Sequence, residues 1–294
     1  MSGFLKKLNN IANDTNSYLK KIFSSQKSNS YLLKPMKYGI FSGGKRFRSA
    51  IVISTGKIYN IDYRTMIAVG SAIECIHSYS LIHDDLPAMD NDDFRRGKPS
   101  VHKKFNEFIA ILAGNSLLTL GFEILSGQKL KLPQNYKNDL IKTLSKCSGH
   151  LGLAGGQYSD LTFENKNISK KNIINMQKKK TGELFGFCCE SVAIIKGLKL
   201  VKRKKLKDLG IEIGLLFQIV DDLIDYKGDS VVVGKPTRSD EKKGKATLVK
   251  LLGYNESLNF AKNIKKKLDQ QIKKYGNKAN DLLKSVEFIL KRKY

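Results

Sequence analysis

The stretch IAVGSAIECIHSYSLIHDD, residues 67–85, decides the fold class. Its apolar and small residues Ile67, Ala68, Ser71, Ala72, Cys75, Ile76 and Tyr79 recur at spacings of three and four. That is the period of a helix, not the alternation of a strand, and the run ends on Asp84 and Asp85. Residues 209–226 repeat the arrangement, with Ile213, Leu216, Phe217, Val220, Leu223 and Ile224 on one broad face and Asp221, Asp222 and Asp225 towards its end. Further out, residues 108–125 and 184–195 read as helices apolar nearly all round, as the central members of a large bundle must be. Residues 259–275 and 281–294 alternate apolar positions with clusters such as Lys265-Lys266-Lys267 and read as outer helices. No Asn-Gly or Asp-Gly signal separates alternating runs, so no strand is required. The expected fold is all-α.

The chain has 294 residues, enough for a large core, and 41% of them are hydrophobic, which excludes wholesale disorder. Only five prolines occur, with no Pro/Ser/Gly-rich linker and no solenoid repeat, so a single domain is expected over 1–294. No stretch has the roughly 18–20 uninterrupted apolar residues of a membrane span, and MSGFLKKLNNIANDT has no apolar signal-peptide core. Four cysteines without a CxxC pair and four histidines argue against a disulfide framework or a zinc site. The expectation is a soluble cytoplasmic protein without stable membrane insertion.

Lys and Arg number 53 against 27 Asp and Glu, a formal net charge of +26. Such an excess suggests a nucleic-acid partner or an anionic surface, but only eight of the basic residues are Arg, the preferred residue for bidentate phosphate and base contacts. A Lys-rich solvated exterior accounts for the excess, and no nucleic acid is expected.

Two acidic clusters stand out on this basic chain. One is Asp84, Asp85, Asp90, Asp92 and Asp93 in HDDLPAMDNDDFRRGKP; the other is Asp221, Asp222, Asp225 and Asp229 in FQIVDDLIDYKGD. Asp221 and Asp225 are four apart, so a helix places both carboxylates on one face, about 6 Å apart along its axis. Pro87 should end the first helix soon after Asp85, so that Asp90 reaches back towards Asp84 from a loop. Converging carboxylates repel unless a cation lies between them. Without a Ca²⁺-loop pattern or Cys/His partners, the donors suit Mg²⁺, which takes one or two carboxylates and bridges to phosphate oxygens. Fixed cations accompany the clusters: Arg95 and Arg96 directly after the first; Lys235 and Lys245 after the second in Gly-rich sequence; Lys45, Arg46 and Arg48 after the Gly43-Gly44 turn; and Lys180, followed by the hydroxyl of Thr181, before Gly182. Singly, each is more often a solvated charge; their recurrence beside glycine turns points to phosphate.

Together GGKRFRS (43–49), ECIHSYSLIHDDLPAMDNDDFRRGKPSVHKKF (74–105), GGQYSDL (155–161), KTGELF (180–185), FQIVDDLIDYKGD (217–229) and GKPTRSDEKKGKATLVKLLG (234–253) resemble the trans-isoprenyl diphosphate synthases. The likeness runs in order over about residues 30–255 and is strongest to the bacterial farnesyl diphosphate synthases. It implies a helical bundle around a central prenyl-binding cavity, a homodimer, and about three Mg²⁺ ions held on an allylic diphosphate by Asp84, Asp85, Asp90, Asp221, Asp222 and Asp225. It also implies that Arg95, Lys180 and Lys235, with Thr181 and Gln218, line the allylic site, that Lys45, Arg48, His77 and Arg96 bind isopentenyl diphosphate, and that Lys245 is a substrate-binding residue. The implied reaction joins isopentenyl diphosphate to dimethylallyl and then geranyl diphosphate, giving farnesyl diphosphate.

Tyr79 lies five residues before Asp84, about 7.5 Å along the helix. The resemblance makes it the floor under a growing prenyl tail, with Ser80 beside it and residues 116–118 along the same tunnel. A geranylgeranyl (C20) product is the nearest alternative; a terpene cyclase, which needs no second diphosphate site, and a non-enzymatic basic helical binding protein are the others. Two residues depart from the family pattern: Ser49 stands where Pro is usual and Asn115 where Asp is usual.

Overall fold

The computed structural model describes residues 2–25, 31–227 and 239–292; Asp229 and Lys235 lie outside the described residues. In chain order the elements begin with α1 (Ser2–Ser25), α2 (Leu33–Ile40), α3 (Phe47–Ile58) and α4 (Tyr63–Asp84). The strands β1 (Phe94–Arg95) and β2 (Lys98–Pro99) precede α5 (Val101–Lys104), α6 (Glu107–Ser126), α7 (Gln134–Ser148), α8 (Leu153–Thr162) and α9 (Lys170–Gln177). A π-helical turn (Lys178–Gly182) then leads into α10 (Glu183–Ile195) and α11 (Leu200–Lys227), and the helices Tyr254–Lys273 and Asn280–Lys291 come near the end. Two compact units emerge, one made of Met1–Gly56 and Ile61–Ile141, the other of Lys57–Asn60 and Lys142–Tyr294.

In the first unit α4 is the core helix. Asp62 caps it, its carboxylate accepting the Thr65 N–H at 2.9 Å, and Asn106 caps α6 through Ile109 N–H at 2.9 Å, bonds each worth about 1 kcal/mol. Val69, Ala72, Ile73, Cys75 and Ile76 of α4 are fully buried. On α6, Gly114 and Gly121 let the two helices approach closely: a side chain at Gly121 would lie 3.0 Å from Ile76 Cδ1, and one at Gly114 would overlap the His83 ring.

Burial corrects one expectation. Helix α6 is apolar nearly all round in composition but not covered all round, since Phe108, Ile111 and Leu112 are 64%, 42% and 45% exposed. Both α4 and α6 are long and apolar enough to cross a membrane by length and composition, although neither is an uninterrupted apolar run; 78% of the apolar window of α4 is buried inside the protein, against 44% for α6.

A second correction is the antiparallel pairing of Phe94 with Pro99 and Arg95 with Lys98. Its two-residue turn is Arg96-Gly97, with φ of +54° and +72°, the positive pair that a type I′ hairpin requires. Arginine is not a usual residue for that position, which is why no hairpin was expected there.

The second unit is built on α10, in which every residue from Leu184 to Ile194 is buried. Tyr254–Lys273 and Asn280–Lys291 are amphipathic as expected, burying Ala261, Ile264, Leu268 and Ile272 from one and Leu282, Val286 and Ile289 from the other. All four cysteines are buried and none forms a disulfide.

Candidate active site

The first acidic cluster closes α4. Asp84 is its last residue and Asp85 its C-cap. The loop then folds back on the helix end, with Asp90 N–H donating to Asp84 O at 2.8 Å and Asp92 N–H to Asp85 O at 3.1 Å. Asp90 thus returns to Asp84 as Pro87 suggested. The Arg95 guanidinium grips Asp85, its Nε donating to Oδ1 at 3.0 Å, and its Nη2 lies 3.5 Å from Asp92 Oδ2. Burial raises the Asp85 pKa above its ordinary value, and Arg95 offsets this only in part. Burial also disfavours the charge on Arg95, but Asp85 and Asp92 more than restore it, so its pKa is raised.

A basic cluster surrounds His77 in the same unit. Lost hydration, then Arg48, Arg96, Arg46 and Arg95, holds its pKa well below 6.5, so the imidazole is neutral at pH 7. Gly43 and Gly44 have φ of +110° and +105° and wrap the Arg96 guanidinium, which donates to Gly43 O. Lost hydration and repulsion from Arg46 draw Arg96 down to about 10. Buried Arg46 is tied into the fold, donating to Asn16 Oδ1 at 2.9 Å and lying 3.6 Å from Glu74 Oε2. Arg48 is buried, whereas Lys45 is half-buried beside the glycine turn. Ser49 uses the N–H that a proline would lack, donating to Glu74 Oε1 at 3.3 Å.

Tyr79 packs edge-on against His83, ring centroids 5.3 Å apart, and His83 Nε2 lies 3.0 Å from Ile111 O. Ser80 is buried and its hydroxyl donates to His77 O at 2.9 Å. Burial, then Asp84, raises the Tyr79 phenol pKa.

In the second unit the acidic cluster sits at the end of α11. Asp222 is buried and accepts from Gln177 Nε2 at 2.7 Å and Gln218 Nε2 at 2.9 Å; Thr181 in turn donates to Gln218 Oε1 at 2.7 Å. Burial, then Asp240, raises the Asp222 pKa well above 3.8, with Asp221 and Asp160 adding and the Gln218 bond opposing. Asp225 accepts the Asp240 N–H at 3.1 Å on Oδ2, while its buried Oδ1 has no hydrogen-bond partner. Lys180 and Lys245 both meet Asp160 Oδ2 at 2.8 Å, and together they pull the Asp160 pKa below its ordinary value against the effect of burial.

Three participants carried no assigned role in the sequence reading: Asp160, Gln177 and Arg292. The first lies within GGQYSDL, a motif that was read; Gln177 adjoins the Lys178-Lys179-Lys180 run. Arg292 has no local signal, yet its Nη2 pairs with Asp221 Oδ1 at 2.8 Å and its guanidinium covers the Phe217 ring at 3.7 Å.

Among the described residues no three His, Cys, Asp or Glu are grouped to hold a metal by themselves. The donors are nonetheless hard oxygens, and the open Asp225 Oδ1 beside crowded carboxylates suits a cation that takes one or two carboxylates and leaves its other positions to water and phosphate.

In each unit, taken by itself, aspartates and fixed cations lie together at a helix end, which suits the handling of a metal-bound diphosphate. The chain belongs to the polyprenyl synthetase family, whose model matches residues 29–288. A farnesyl diphosphate synthase of Geobacillus stearothermophilus is 40% identical over 233 residues, 78% of either chain. Another, of Buchnera aphidicola, is 42% identical over 263 residues, 87% of this chain and 88% of the relative. The structure of a geranyltransferase from Helicobacter pylori, complexed with magnesium and isoprenyl diphosphate, superposes with a TM-score of 0.84 at 32% identity, covering 99% of this chain and 97% of that one.

Proposed function

We propose that the chain is a magnesium-dependent trans-prenyltransferase that condenses isopentenyl diphosphate with dimethylallyl and then geranyl diphosphate, releasing diphosphate and (2E,6E)-farnesyl diphosphate. The observation that carries this reading is the second basic cluster, Arg46, Arg48 and Arg96 around a neutral His77, which an enzyme handling a single diphosphate does not need. Both units work as one synthase domain over 1–294, a reading supported by a family match that crosses them without a break.

Asp84, Asp85, Asp90, Asp221, Asp222 and Asp225 would hold the magnesium, about three ions per site, on the allylic diphosphate. Bound magnesium supplies charge neutralisation to the leaving group. Arg95, Lys180 and Lys245, and Lys235 outside the described residues, hold the same diphosphate with Thr181 and Gln218. They stabilise charge as the allylic C–O bond breaks, where fixed donors in a water-poor site act most strongly. Lys45, Arg48 and Arg96 hold isopentenyl diphosphate, and neutral His77 contributes a hydrogen bond without a further charge. Binding both substrates in one orientation makes the attack of the double bond on the allylic carbon effectively unimolecular. Among the described residues none is assigned here as the base, and the departed diphosphate is the group proposed to take the proton. Tyr79, backed by His83, closes the space below the metal end and limits the product to C15.

The protein works as a homodimer, for which the exposed Phe108, Ile111 and Leu112 of α6 offer an apolar face. A cytoplasmic location suits the four buried thiols. The test is product sizing: purified protein with isopentenyl diphosphate, dimethylallyl or geranyl diphosphate and Mg²⁺ should give a C15 main product. A C20 main product would overturn the role of Tyr79, and no condensation with either starter would overturn the function.

A further inference from the structure

We propose that Asp160 is a positioning residue that binds Lys180 and Lys245 into one clamp for the leaving diphosphate; this deepens, and rests on, the assignment of those two lysines to the allylic diphosphate. Asp160 is 6% exposed, and a single carboxylate oxygen, Oδ2, accepts from Lys180 Nζ and from Lys245 Nζ, each at 2.8 Å. The two ammonium groups therefore cannot separate by more than those two bonds allow. They come from different elements, Lys180 from the π-helical turn and Lys245 from the segment after Ser239–Lys242, so Asp160 ties together two parts of the chain that sequence keeps apart.

Helix α8 fixes Lys180 at both ends. Four residues before Asp160 and on the same face, Gly156 lies so close to the turn that a Cβ there would overlap the Lys180 backbone nitrogen and Cα. Backbone packing at Gly156 thus sets where the lysine starts, and the Asp160 carboxylate sets where its ammonium ends.

Two ammonium groups here meet two carboxylates, Asp160 and Glu164. Lys245 is buried and also lies 2.8 Å from Glu164 Oε1, so it is paired from two sides, whereas Lys180 remains about a quarter exposed. An asparagine at 160 would keep the shape but leave two neighbouring cations without the shared carboxylate. Asp160 touches no substrate in this scheme; its effect passes through the lysines.

A double-mutant comparison tests this. Prenyl transfer from geranyl to isopentenyl diphosphate is measured with saturating Mg²⁺ for Asp160→Asn in the otherwise unchanged chain and in a Lys180→Ala, Lys245→Ala background. The expected loss in kcat is about 10- to 100-fold in the first and less than about threefold in the second. Asp160→Glu, which keeps the charge, should lose less than Asp160→Asn; the reverse order overturns the charge-bridging role. An equal loss from Asp160→Asn in both backgrounds means that Asp160 acts as fold support alone, and the proposal fails while the lysine assignment stands. An undiminished rate in the double-alanine chain removes the lysine assignment and the proposal with it. If Asp160→Asn does not fold, Asp160→Ser in the same two backgrounds makes the comparison.

Discussion

Arg96 shows what a single residue carries at this site. Its backbone sits at φ +54°, an unfavoured conformation for a side chain of its size, and its guanidinium is held against the Gly43-Gly44 turn. A methyl group at Gly44 would lie 2.5 Å from Arg96 Nη1, at a φ of +105°. Gly44→Ala should therefore cost about 1–3 kcal/mol of stability through backbone strain and push the guanidinium out of place. If Arg96 binds isopentenyl diphosphate, KM for that substrate rises about tenfold in Gly44→Ala, a loss of roughly 1.4 kcal/mol of binding, while KM for geranyl diphosphate stays within about twofold. Thermal melts and a two-substrate kinetic matrix measure both; equal changes in the two KM values would detach Arg96 from the second diphosphate. The sequence shows that a Gly-Gly pair among Lys and Arg marks a close approach. It does not show that the approaching group is Arg96, because that contact joins positions 53 residues apart.

Among the elements, the helices were legible and their surroundings were not. Three- and four-residue spacing on α4 and α11 follows from burying one face, and both helices form where that spacing runs. Exposure on α6 has no such signature, since periodicity reports which residues are apolar and not what covers them. The π-helical turn Lys178–Gly182 between α9 and α10 was equally hidden; π turns arise from an extra residue in the helix and often coincide with functional sites. Here the turn carries Lys180 and Thr181 and packs on Gly156 of α8. Gly156→Ala would drive its Cβ into backbone, which cannot turn aside as a side chain can. The expected cost is about 2 kcal/mol or more. Folded Gly156→Ala enzyme should also lose kcat at least about tenfold, because the turn that aims Lys180 must move. Chemical denaturation and initial rates check this, and a stable variant of undiminished kcat would show that the placement of the turn does not matter to the reaction.

At the scale of the whole molecule, the +26 charge and the acidic clusters have separate uses. A Lys-rich exterior favours the approach of anions from solution, an effect that weakens with salt, while of the residues that would touch diphosphate Arg48, Thr181 and Lys245 are buried, Lys45, Arg95 and Lys180 half-buried and Arg96 exposed. What the charge count cannot show is the stripe on α6, where Phe108, Ile111, Leu112, Asn115 and Thr119 are all exposed and none is charged. An aspartate at 115, usual in the family, would put a carboxylate in the middle of that stripe; asparagine removes it. Association of two copies through this face would cover the three apolar side chains, each contributing up to about 1.5–3 kcal/mol depending on how much it still exposes. Leu112→Asp places a charge at the centre of the contact and should weaken dimerisation by about 2–4 kcal/mol, roughly 30- to 1,000-fold in Kd. Leu112 is about half exposed in the isolated chain, so the fold itself should be little affected, and far-ultraviolet circular dichroism should match that of the unchanged protein. Sedimentation velocity at micromolar concentration should then show a dimer for the unchanged chain and a monomer for Leu112→Asp; a variant that sediments as the same dimer would place the contact on another face.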